Sequence, residues 1–215
     1  EGSSVALFGC KTGRVPTVVK EIIVQEKLPY AEWKGEWIKT SAESGKPYLI
    51  TTFTEENIDG FLDYAQKMGM AGVYHEDPFE TWGHFEMKLA HFPNGRKGFR
   101  MCVEKARALG LRLGFHTLTN FITTNDPYVT PRPDHRLAGA GSALLGADLT
   151  ADATEITVSS NFYFRLRSDL NSIRIGDEII RFMEVSEEPP YRLKGCLRGA
   201  FGTVASAHKA GGEVV

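Results

Sequence analysis

Between residues 72 and 85 the chain reads GVYHEDPFETWGHF, an apolar lead-in that breaks directly into acids, imidazoles and an indole. Gly72-Val73-Tyr74 reads as the end of a buried strand, and His75, Glu76 and Asp77 follow it without a spacer. Carboxylates in that position can hold sugar hydroxyls, act as general acid and base, or ligate a metal. They can equally cap a helix or pair with a lysine or arginine, and the residue types alone leave both readings open. A matching cluster, His116, Thr117 and Asn120, stands in FHTLTNFITTNDPY. Two imidazoles and a carboxylate suit zinc, iron or manganese, which makes His75, Glu76 and His116 the set a metal would use. No HxH or HExxH spacing accompanies them, so neither metal nor cofactor is expected. Asn120, Asn125 and Asp126 either orient a polar ligand or hold the loop around them. Trp82, with Phe79, Phe85 and Tyr128, either offers flat faces to a sugar ring or closes over the end of a core. Trp33 and Trp37 flank a glycine-containing turn and are read as packing residues.

An internal echo supplies the elements that position these groups. IDGFLDYAQKMGMAGVYH, from Ile58 to His75, returns as FRMCVEKARALGLRLGFH, from Phe99 to His116, at an offset of 41 residues. Ile58, Phe61, Leu62 and Ala65 align with Phe99, Cys102, Val103 and Ala106, the spacing of one apolar helical stripe. Gly69 and Gly110 align as helix stops, and strands MAGVY and LRLGF follow them. A third strand, YLITTF, precedes the first helix, with Thr54 as its N-cap, and Asn94-Gly95 sets up the turn into the second helix. Strand, helix, strand repeated in this way predicts parallel βα units whose strand C-termini share one rim. His75 and His116 are therefore expected at one rim, on neighbouring strands.

Upstream, SVALFG is expected as a strand, residues 16–27 as a short amphipathic helix and WKGEWIKTSAESGKP as a loop. After Asp134 the character changes. A Gly/Ala-rich stretch leads into EITVSS, SIRIGDEIIRFMEV, YRLKGCLRG and GGEVV, short alternating runs separated by Gly, Asp and Pro turns. The expected organisation is an N-terminal segment over 1–44, a partial (β/α) barrel of three βα units over 45–136, and a small β-sandwich or β-barrel module over 137–215. Three βα units cannot close a barrel, so the chain is expected to be a piece of a longer polypeptide.

Composition narrows the classes. A net charge of −2 gives no electrostatic case for nucleic acid or an anionic membrane. No apolar run approaches the roughly 20 residues that span a bilayer, so a soluble protein without a membrane span is expected. Cys10, Cys102 and Cys196 lie far apart in no metal-ligand spacing, with Cys102 on the buried helix face as a free thiol. Nucleotide-cradling GxGxxG and GxxxxGK[ST] motifs and a GxSxG nucleophile elbow do not occur.

Residues 48–120 resemble the (β/α)8 glycoside hydrolases of the α-galactosidase-like clan and their bacterial relatives. GVYHEDPFETW and FPNGRKGFRMCVEKARALGLRLGFHT carry the resemblance, through an FP-x-G turn, a helix and a GL-x-x-G-x-(H/Y)-T strand. It implies that Glu76 and Asp77 hold the hydroxyls of a terminal sugar and that His116 lines the same pocket; His75, Trp82, Asn120 and Asp126 complete the candidate substrate-binding set on the reading of the residues themselves. Glu76 and Asp77 are also the candidate catalytic acids, although the resemblance places nucleophile and acid/base on later strands. The implied activity is exo-acting hydrolysis of an oligo- or polysaccharide with two carboxylates at the anomeric carbon, in the periplasm or outside the cell. The sequence departs from the clan in having His-Glu-Asp where many relatives have Asp-Asp. The β part separately resembles modules of phage and bacterial surface proteins that share IGDEII…RGxxGTxAxxHxxG, as if inserted into the barrel. Two other readings stay open: a metal-dependent hydrolase or polysaccharide lyase, and a non-catalytic surface or virion protein that binds carbohydrate.

Overall fold

Helix α1 (Val15–Gln25) opens with Pro16 in its first turn, where a missing N–H costs nothing, and none of its residues is buried. A two-residue hairpin follows, β1 (Glu32–Trp33) against β2 (Glu36–Trp37), turning through Lys34 and Gly35. Both turn residues have positive φ, the conformation that matches the twist of the paired strands. Two 3-10 turns, Ile38–Thr40 and Ala42–Gly45, then lead into β3 (Leu49–Thr51). The computed structural model describes residue 5, residues 7–164 and residues 171–215. Of the strand expected over SVALFG, Ser4 and Ala6 lie outside the described residues, and the others form no strand.

The echo folds as one design used twice. Helix α2 (Ile58–Lys67) buries Ile58, Leu62 and Ala65 and feeds β4 (Gly72–His75). Helix α3 (Gly95–Ala108) buries Gly98, Cys102 and Ala106 and feeds β5 (Arg112–Phe115). Each helix ends in the same double hydrogen bond around a left-handed glycine. Gly69 N–H donates to the Gln66 carbonyl and Met70 N–H to that of Ala65; Gly110 and Leu111 do the same to Arg107 and Ala106. Thr54 sits three residues before the N-cap Asn57, and the two exchange backbone-to-side-chain hydrogen bonds. Fully buried Ile58 and Leu62 each contribute roughly 1.5–3 kcal/mol of burial.

The strands pair parallel in the order β3-β4-β5, but this is not the first part of a barrel. Only two helical crossovers exist among the described residues, and no helix or strand occupies 116–142 after β5. Helix α2 packs on β4, α3 packs on β5, and the helices touch each other, so one face of the sheet is covered. Three strands of three or four residues, in line and not closed, leave the other face without a helical layer. The expected partial (β/α) barrel is therefore corrected to a small, one-sided parallel sheet. It lies in a unit that comprises the described residues up to Asp77 and His91–His116.

A second unit holds residues 78–90 and 117–215. Its strands are β6 (Ala143–Leu144), β7 (Glu155–Thr157), β8 (Ser172–Ile175), β9 (Glu178–Arg181), β10 (Glu184–Val185), β11 (Arg192–Lys194) and β12 (Glu213–Val214). They pair antiparallel as three separate sheets, β6 with β12, β8 with β9, and β7-β11-β10. No described sheet closes into a barrel, which also corrects the expected sandwich or barrel module to a set of short ladders around one core. Ile156, Ile173, Ile180, Leu193 and Val214 are its fully buried members.

Glu178 lies inside that unit with no exposed surface. Arg198 grips its carboxylate with two N–H groups, Nε at 2.8 Å and Nη2 at 2.7 Å. His208 Nε2 stands 2.7 Å from Oε2, and the Gly199 and Ser206 amides donate at 3.0 and 3.2 Å. Arg198 also donates to the carbonyls of Thr150 and Ser206, while Thr203 Oγ1 accepts from the Ile179 amide. These contacts account for the spacing of Glu178, Arg198, Thr203 and His208 in IGDEII…RGxxGTxAxxH: Arg198, Thr203 and His208 each close a loop on the strand that carries Glu178.

Burial would raise the Glu178 carboxyl, but hydrogen bonds from Arg198, His208 and the two amides outweigh it and hold it below its ordinary range. A carboxylate lowered on folding adds stability above its unfolded pKa and loses it as pH falls through the folded value. Stability to denaturant should therefore hold above about pH 5 and decline below about pH 4, around the ordinary glutamate value. Glu178→Gln should cost about 3–5 kcal/mol at neutral pH, because Arg198 stays buried without its partner charge, and should shallow the acid slope. Denaturant titrations of both chains from pH 3 to 7 check this; parallel acid slopes would contradict it.

Candidate functional site

The ladder decides where the rim histidines point. Gly72 pairs with Arg112 and His75 with Phe115, an offset of 40 residues, whereas the echo aligns His75 with His116 at 41. Successive side chains on a strand face opposite ways, so a one-residue difference separates the two imidazoles onto opposite faces. His75 turns to the helical side, fully buried among Phe53, His91 and Phe92, with ring centroids 4.9–5.5 Å away. Its Nδ1 accepts the Asp77 amide at 3.1 Å, which places the proton of the neutral ring on Nε2. His116 turns to the other side and shares a 3.0 Å hydrogen bond between its Nδ1 and Tyr74 Oη. Glu76 and Asp77 follow β4 as exposed residues.

The face that the helices leave open carries a groove. Parallel sheets are ordinarily covered on both sides; here the second side has no long helix among the described residues and is bordered by the segment that carries Ile38, Glu43, Ser44 and Lys46. Gly72 and Gly114 form its floor. A Cβ on Gly72 would collide with the Arg112 backbone, and one on Gly114 would lie 2.9 Å from the Tyr74 ring. Absence of a side chain at Gly114 is what lets Tyr74 lie across β5 and reach His116. Tyr48, 57% exposed, faces Tyr74 with ring centroids 5.9 Å apart and planes inclined at 54°. Arg112, Glu43, Ser44 and Lys46 supply polar walls to a cavity of about 360 Å³. The Arg112 guanidinium is centred 4.9 Å over the Trp33 ring, whereas Trp37 is buried, as packing predicts.

Of the residues nominated from sequence, none lines this cavity. Tyr74 joins it to His116; the other lining groups, Tyr48, Glu43 and Arg112, were missed. A signal existed in strand parity: Gly72 and Tyr74 pair with Arg112 and Gly114, two glycines on one face of a parallel sheet.

Trp82, Asn120 and Asp126 belong to the second unit. There residues 78–88 form a hairpin-like loop whose tip is tied to 123–128. Trp82 N–H donates to Thr123 Oγ1 at 2.9 Å, and Asn125 donates to the Glu80 carbonyl at 3.1 Å. Asp126, with no exposed surface, accepts the His84 amide at 2.7 Å, the His84 Nδ1–H at 2.8 Å and the Tyr128 amide at 2.9 Å. Burial raises its carboxyl, but the His84 and Tyr128 hydrogen bonds and one from Thr81 leave it below its ordinary range. Gly83 is required beside it, since a Cβ there would meet the carboxylate at 2.7 Å. His84, not singled out from sequence as a site residue, lies against Tyr128 with ring centroids 4.3 Å apart and planes inclined at 33°, its side chain 40% exposed. Asn120 is exposed.

Among the described residues no three His, Cys, Asp or Glu side chains gather as a metal-ligating group, so His75, Glu76 and His116 are not brought together as one. No described helix is long and apolar enough to cross a membrane. No protein-family model, curated protein or solved structure matches the chain.

Asp126→Ala removes the acceptor of two backbone amides and of the His84 ring. Each buried donor so affected should cost roughly 1–3 kcal/mol. Amide hydrogen exchange should show protection lost at His84 and Tyr128 while β4 and β5 keep theirs; unchanged protection at both amides would mean that Asp126 is not the clamp.

Proposed function

We propose that the first unit is a carbohydrate-binding part of a glycoside-hydrolase-like protein, taking a sugar ring on the open face of its parallel sheet. The carrying observation is the glycine-floored groove flanked by Tyr48 and Tyr74. Inclined aromatic faces above a floor without side chains suit a flat, apolar ring face edged by hydroxyls. Its volume of about 360 Å³ lies in the range of small-ligand sites. Glu43, Ser44 and Arg112 offer acceptors and donors within the lining, and the Tyr74–His116 pair extends the polar edge toward the strand ends. Glu76 and Asp77, exposed after β4, are assigned to hydroxyl binding in line with the resemblance. A location in the periplasm or outside the cell, where polysaccharides are met, belongs to the same proposal.

Titrating the full chain with a panel of hexoses and short oligosaccharides, followed by amide chemical shifts, tests it. Shifts should concentrate on Gly72–Tyr74 and Arg112–Gly114. Tyr74→Ala should weaken binding about three- to tenfold, in keeping with roughly 0.5–1.5 kcal/mol for an aromatic contact. If no sugar in the tens of millimolar perturbs those residues, the reading fails.

A further inference from the structure

We infer that the sugar held in this groove carries a carboxylate, as a hexuronic acid does, with Arg112 and Lys46 as its counter-charges; this rests on the carbohydrate reading above. The charges of the lining are unequal. Arg112 and Lys46 face a single carboxylate, Glu43, and the hairpin's Glu32 and Glu36 do not line the cavity. Glu43 is engaged mainly by Lys46, whose Nζ lies 2.6 Å from Oε1, while Arg112 Nη2 is 4.0 Å from Oε2. The hydrogen bond from Lys46 outweighs burial and, with the attraction of Arg112 and Lys34, keeps the Glu43 carboxyl below its ordinary range. Glu43 therefore stays ionised and balances one cation, which leaves one positive charge in excess in the lining.

Arg112 is the better placed of the two cations. Its guanidinium is held 4.9 Å from the centre of the Trp33 ring, and its side chain is 32% exposed. It donates from Nη2 to the Glu43 carbonyl at 3.4 Å, a long contact that occupies little of a five-donor fork. A planar, pre-oriented fork at the edge of a ring-sized groove matches a carboxylate in two-point geometry, which a neutral hydroxymethyl group cannot use. Position on the strand makes this specific. Arg112 shares its face with Gly114, so a ring lying over the glycine floor carries its substituent toward the guanidinium.

The test compares a neutral hexose, the matching hexuronate and the matching hexose 6-sulfate by calorimetric titration of the full chain. The hexuronate should bind about tenfold more tightly than the hexose, roughly 1.4 kcal/mol. That ratio should shrink as salt rises from about 0.05 to 0.5 M, because the charges are partly exposed. Arg112→Gln should bring the ratio close to one, and Lys46→Gln, at a more exposed position that leaves the Arg112–Trp33 contact intact, should lower it. Hexose binding without a hexuronate preference overturns this inference and leaves the carbohydrate reading standing. Preference for the sulfate alone, or a hexuronate preference that neither substitution changes, also overturns it. Silence toward every sugar removes the carbohydrate reading and this inference together.

Discussion

Everything in the first unit turns on the register of one parallel ladder. With Tyr74 opposite Gly114, a bulky ring meets a position that has no side chain, and the sheet acquires a floor with a wall beside it. Slipping β5 by one residue would put Leu113 or Phe115 against Tyr74 and turn Arg112 toward the helices. Helical packing excludes that slip: Phe115 meets Phe99 of α3 at 5.4 Å, and Phe99 in turn meets Phe53 and Phe92. Aromatic packing on the covered side thus sets which groups are offered on the open side. Binding geometry and core packing are two readings of the same alternation.

Buried carboxylates organise the second unit by a different logic. Glu178 and Asp126 each lie out of solvent and each gather backbone amides from the loops around them. An isolated buried charge would be costly, and several charge-assisted donors per carboxylate offset that cost. Acids in such positions are connectors. Their side chains are spent on the chain itself.

Much of the helical framework was legible. The apolar stripes, the glycine stops and the strand positions follow from local rules, and the echo made both crossovers visible because each copy carries the same stop and the same strand. Arrangement was not legible to the same degree. An echo of 41 residues aligns His75 with His116, but pairing is a property of two strands together, and the offset realised is 40. Nothing local to GVYHED says that His75 goes into an aromatic core. A partial barrel was expected from the repeated βα units and the resemblance to (β/α)8 enzymes; the ladder stops at three strands, and the later described strands pair antiparallel. The polar pattern IGDEII…RGxxGTxAxxH was recognisable as a string of letters, yet its meaning needed Glu178, Arg198 and His208 in one place. The tie between His84 and Asp126 likewise joins positions 42 apart, beyond the reach of any local periodicity.

Connectivity sets the terms on which the molecule can be taken apart. Neither unit is one continuous stretch: 78–90 belongs with the later residues, although 91–116 returns to the earlier ones. The chain therefore passes from one unit to the other at three points, after Asp77, after Ala90 and after His116. No single scission delivers both units whole. A cut at 77 strips α3 and β5 from the sheet, and a cut at 116 leaves the Trp82 loop attached to the wrong piece. In synthesis from the amino end, residues 78–90 emerge before the segment that Thr123 and Asp126 use to hold them. They must wait, unanchored, until about forty more residues have followed.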